Sequence, residues 1–67
     1  MSKEEKLENL KTLNTQIDGI ESYVREMKKA EGQYSRERIV LNNVEGDIRT
    51  LRGHLDTYER VLKQQRD

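Results

Sequence analysis

The stretch Lys28-Lys29-Ala30-Glu31-Gly32-Gln33-Tyr34-Ser35, residues 28–35, decides the fold. Two lysines followed by a glycine read as the end of a helix, with the cations set against the negative end of the helix dipole and Gly32 at the C′ position. Ser35 then supplies an N-cap for a second helix. Elsewhere Pro is absent and good helix formers dominate, so helix is expected on both sides of this break. Ser2-Lys3-Glu4-Glu5 reads as a capping box, with the Ser hydroxyl and the Glu carboxylate satisfying opposite orphan N–H groups. The expected layout is a single domain over 1–67, with helix 1 at about 2–31, a turn at about 32–35 and helix 2 at about 36–65.

Apolar periodicity supports this layout. Leu10, Leu13, Ile17, Ile20, Val24 and Met27 follow alternating steps of three and four residues. The same rhythm recurs at Leu41, Val44, Ile48, Leu51, Leu55, Tyr58 and Leu62. Both are a/d seams of the coiled-coil type, and they do not share one register: the first makes Tyr34 a d position, the second an a position. A chain folding back at the turn pairs residue i with 68 − i, which sets Leu7 on Val61, Ile17 on Leu51, Ile20 on Ile48 and Val24 on Val44. The g positions Tyr23, Ala30, Val40 and Val61 widen the stripe beyond a two-helix strip. The expected fold is therefore all-α, an antiparallel hairpin of two long helices that dimerises through this wide edge into a four-helix bundle.

Charge at the flanking e positions opposes the hairpin, because folding back sets Glu21 near Glu45 and Lys28 near Arg38. A parallel dimer of helix 2 would instead bring Asp47 near Arg52 and His54 near Glu59 of the partner copy. Exposed pairs are worth only a few tenths of a kcal/mol, so they do not reverse the expectation. The alternative is a continuous parallel coiled coil, a rod of about 100 Å at 1.5 Å per residue against roughly 45 Å for the hairpin.

Composition explains why self-association is expected. The chain has 67 residues, of which 31% are apolar and 39% charged. A domain of this size hides only about 60% of the surface its unfolded chain exposes. Without Cys, and with His54 as the lone His, disulfides and a metal give no added stability, which leaves an oligomeric interface. No apolar run suits a signal peptide or a membrane span, so a cytoplasmic location is expected. Thirteen basic residues cancel thirteen acidic ones, and no global field draws in nucleic acid or anionic lipid.

Three features could carry function. Opposite the seam lie small residues: Thr12, Thr15, Gly19 and Ser22 on helix 1, and Asn43, Gly46, Thr50, Gly53 and Thr57 on helix 2. They suit close approach of a partner helix, or are an ordinary solvated face. Arg25, Lys28, Lys29, Arg36 and Arg38 gather near the turn around Tyr34; they suit phosphate and a stacked base, or simply complement the helix dipole. Helix 2 takes Arg36, Arg38, Arg49, Arg52, Arg60 and Arg66 as its basic residues, with Lys63 the exception, whereas helix 1 favours Lys. Arg suits contact surfaces through its planar fork, so Arg36, Arg38, Arg49 and Arg52, with Gly46 and Gly53, are the candidate partner-binding residues.

Catalytic chemistry is not expected. His54 has Asp56 and Glu59 nearby in sequence, but a two-helix hairpin offers no pocket for a base to work in. At a g position it would make assembly pH-sensitive at most. No phosphate loop, metal spacing or HExxH occurs, and no cofactor is implied. The expected function is a non-enzymatic interaction protein that binds itself and a partner protein as scaffold, adaptor or inhibitor. Its small size would suit a phage or mobile element blocking a host factor. The alternative is a small dimeric regulator that holds nucleic acid or a nucleotide through Arg and Lys on one bundle face.

Overall fold

The computed structural model describes residues 1–65. It holds two helices, α1 (Lys3–Lys29) and α2 (Arg36–Gln64), packed on each other as an antiparallel hairpin. The Lys3 ammonium donates to the Gln65 carbonyl at 2.9 Å, which brings the two ends of the described chain together. The particle measures 51 × 16 × 12 Å, about half the length of a continuous rod. Arg66, counted above among the arginines of the second helix, lies outside the described residues.

Local chemistry sets the helix ends. Ser2 caps α1 by accepting from the Glu5 N–H at 3.1 Å. The return half of the expected capping box differs, because the Glu5 carboxylate accepts from the Ser2 hydroxyl at 3.2 Å instead. Ser35 caps α2, accepting from the Arg38 N–H at 3.1 Å while its own hydroxyl donates to the Gly32 carbonyl at 2.8 Å. The end of α1 departs from expectation. Ala30 is the C-cap, in right-handed helical geometry, and its N–H bonds back to Met27 and Lys28 carbonyls. No described glycine has positive φ, so Gly32 is not a left-handed C′ residue. The last turn closes by shortened i→i−3 bonds, Ala30 to Met27 at 3.2 Å and Glu31 to Lys28 at 3.1 Å, and these satisfy carbonyls that a left-handed glycine would otherwise serve.

The core runs along one stripe. Leu10, Ile17 and Val24 of α1 and Ile48 and Leu62 of α2 are buried, with Leu41, Val44 and Leu55 half-buried against them. Apart from Val44, all of these are a positions. The other apolar d positions stay open: Leu13, Ile20 and Met27 on α1, and Leu51 and Tyr58 on α2, are exposed. Ile20 and Leu51, expected inside the seam, thus keep 54% and 43% of their surface open in the hairpin. The half-buried places go to e positions, namely Asn14, Glu21 and Lys28 on α1 and Arg38, Glu45, Arg52 and Glu59 on α2. The helices meet along a and e, turned by about 50° from an a/d seam, given 100° per residue.

Candidate functional site: an open apolar face

With a and e turned inward, geometry fixes what lies on each side of the hairpin. The d positions of both antiparallel helices project from one face, flanked on its outer edges by the g positions. Along α1 this face carries Leu13, Ile20, Tyr23 and Met27, and along α2 Val40, Leu51, Tyr58 and Val61. All eight are exposed, with Ile20 at 54% and Tyr23 at 72%. A shallow hollow of about 380 Å³ between Met27, Val40 and Leu41 continues the face to the turn. A second hollow, of about 350 Å³ between Leu10, Asn14, Glu59 and Lys63, lies toward the open end. Of the expected self-association residues, the structure thus splits one half into the hairpin core and leaves the other half on this face.

The e edge is an ion-pair ladder, and the like-charge contact expected between Glu21 and Glu45 does not form. Lys28 pairs with Glu45, Arg52 reaches Asp18 at 2.6 Å and Glu21 at 3.5 Å, and Arg25 joins Glu21 at 2.8 Å. Side chains on a helix lean toward its N-terminus, so in an antiparallel pair each one reaches a partner further along than its own level. That lean brings Lys28 to Glu45 and Arg52 to Glu21. Lys28 and Arg38 do lie close, but without opposing charges: the Arg38 guanidinium donates to the Lys28 carbonyl at 3.4 Å, at the negative end of α1. The Lys28 ammonium on the Glu45 carboxylate holds its pKa below the ordinary value, against a smaller opposing effect of burial. The Asp18 hydrogen bond likewise raises the pKa of Arg52.

The candidate partner-binding residues separate accordingly. Arg38 and Arg52 are engaged inside the hairpin. Arg36 and Arg49 are exposed and make no side-chain hydrogen bond among the described residues. Gly46 and Gly53 lie on the outer side of α2, away from the apolar face, and a Cβ built on either, or on Gly19, would meet nothing within 4 Å. Their carbonyls accept from the Thr50 and Thr57 hydroxyls, each at 3.1 Å. Sequence reading assigns no role to Asp18 and sets Glu21 against Glu45 as a like-charge contact, missing the cations that each one pairs with. The available signal is the alternation of charge at e positions, Glu21 and Lys28 on α1 against Arg52 and Glu45 on α2.

Among the described residues no group of three or more His, Asp or Glu side chains is placed to hold a metal ion, and no helix is long and apolar enough to cross a membrane. Comparison with known proteins leaves the site to speak for itself: no protein family, curated protein or solved structure matches this chain.

Proposed function

We propose that this chain is a non-enzymatic interaction protein that joins a second copy of itself through the d/g face to form a four-helix bundle. The outer side of α2, around Gly46, Arg49 and Gly53, then docks a partner protein, which the bundle scaffolds, adapts or inhibits. The observation that carries the self-association is the rotation of the two helices. In a square array of four helices, the shared centre lies 45° away from the line joining neighbours, and each a/d wedge points at that centre. The wedges here are turned by about 50° from their neighbour, as members of such an array would be.

Surface area supports the same reading. The hairpin exposes 5574 Å², whereas a compact monomer of 8.0 kDa exposes roughly 4400 Å². The surplus exceeds the roughly 800 Å² that each partner buries in a standard interface. A second copy covers it with a surface of matching length and chemistry.

Sedimentation equilibrium tests the proposal. Expected is a mass of two chains that falls to one on Ile20→Glu or Leu51→Glu, each of which would place a carboxylate in the dry centre. A wild-type chain that stays single at micromolar concentration would refute self-association. For the partner, a photo-crosslinking residue at Thr50 should yield a covalent adduct with a different protein in the cells that make the chain; self-adducts alone would count against a docking role for α2. The nucleic-acid reading draws less support, since Arg38 and Arg52 are already taken up within the hairpin.

A further inference from the structure

We infer that the two copies pack antiparallel, with their turns at opposite ends of the bundle, so that α2 lies beside α2 of the second copy. This rests on the self-association proposed above and specifies its geometry.

The g edge of α2 is self-complementary in one direction only. It carries Val40, Asp47, His54 and Val61 at seven-residue intervals. Laid against a reversed copy of itself, Val40 meets Val61, Asp47 meets His54, and each contact occurs twice by symmetry. The centre of both spans falls between Thr50 and Leu51. Dimers with their turns at the same end would set this edge on α1 instead, at the levels given by the hairpin's own pairing. Val61 would then face Asn9, Asp47 Tyr23, His54 Gln16 and Val40 Ala30, which leaves Val61 against an amide and separates Asp47 from the imidazole.

The same axis orders the exposed d residues. A two-fold axis across the hairpin must cut both helices at one level. Arg52, next to Leu51, reaches Asp18 and Glu21, which flank Ile20, so the leaning side chains of Ile20 and Leu51 fall at about one level of the face. Ile20 and Leu51 from both copies thus form the central layer. One heptad to either side, Leu13 and Tyr58 of one copy meet Met27 and Val44 of the other, so that large and small side chains share each layer. Every exposed d residue finds a place, and none is left over.

Because the chain has no Cys, a single label at the turn reports the arrangement directly. Gln33→Cys lies in the exposed turn, away from both helix cores. With a nitroxide attached, the antiparallel dimer should give a label-to-label distance of about 40–50 Å, from the turn-to-axis span at 1.5 Å per residue on each side. Dimers with turns at the same end would give about 20 Å, two helix diameters, and that result would overturn the inference while leaving self-association standing. Sedimentation of the same labelled sample separates the two failures: a mass other than two chains removes the self-association reading and this inference with it.

Discussion

Ile17 and Ile20 stand three residues apart on α1, yet Ile17 is sealed against α2 at 2% exposure while Ile20 is 54% exposed on the open face. Both belong to one apolar stripe, and the rotation of the helices buries the first and leaves the second open. Substitutions at the two sites should therefore be read by different instruments. Ile17→Ala leaves a cavity inside the hairpin and should cost about 2–5 kcal/mol, enough to unfold a domain this small, seen as lost helicity in urea titration. Ile20→Ala should leave the packing within each hairpin intact and weaken the dimer by about tenfold or more, seen in the sedimentation dissociation constant, because each dimer loses two isoleucines.

Dimer formation coupled to folding makes the melting temperature depend on chain concentration. The midpoint should rise on a hundredfold increase in protein and should become flat for Leu51→Glu. A wild-type midpoint independent of concentration would argue that the hairpin is stable alone.

Acid should loosen the e edge. Glu45 has its pKa lowered below 4.5 chiefly by the Lys28 hydrogen bond. Its contribution is therefore fully present above the unfolded value and lost as pH falls through the folded one. Melting temperatures measured from pH 7 down to pH 3 should decline in the lower part of that range. Glu45→Gln should start lower at pH 7 and show a shallower decline; an unchanged slope would mean that other carboxylates carry the acid sensitivity.

Ser35 holds the turn from both sides, taking the Arg38 N–H and donating to the Gly32 carbonyl. Ser35→Ala should cost about 1 kcal/mol, measured by chemical denaturation, and Ser35→Asp should recover most of the cap while losing the bond to Gly32. Equal losses in both variants would show that the Gly32 bond, rather than the cap, sets the turn.

Glycines on the outer side give a separate test of partner docking. A methyl group at Gly46 or Gly53 meets nothing within 4 Å, so each Gly→Ala should stabilise the helix by up to about 1 kcal/mol. If a partner's backbone comes close there, the same variants should melt later and yet give less of the Thr50 photo-adduct. Greater stability with undiminished adduct would leave these glycines without a docking role.

The sequence by itself determined the secondary structure and the reversal of the chain. Ser2 and Ser35 mark helix starts because their hydroxyls can take orphan N–H groups, and both do so. The mismatch of register across Tyr34 announces the break, since a single continuous seam cannot change phase without one. The heptads also separate apolar from polar positions, which is why every buried residue lies on the expected seam. What they do not determine is which flank of the a stripe faces the neighbouring helix. A seam of a with d and a seam of a with e differ by a rotation of about 50°, and local propensity is blind to that rotation. The tertiary structure shows it, in contacts between residues far apart in the chain, Lys28 with Glu45 and Arg52 with Asp18 and Glu21. These depend on the lean of side chains along antiparallel axes, which exists only once the helices are side by side, and they leave Ile20, Leu51 and their neighbours open to a second molecule.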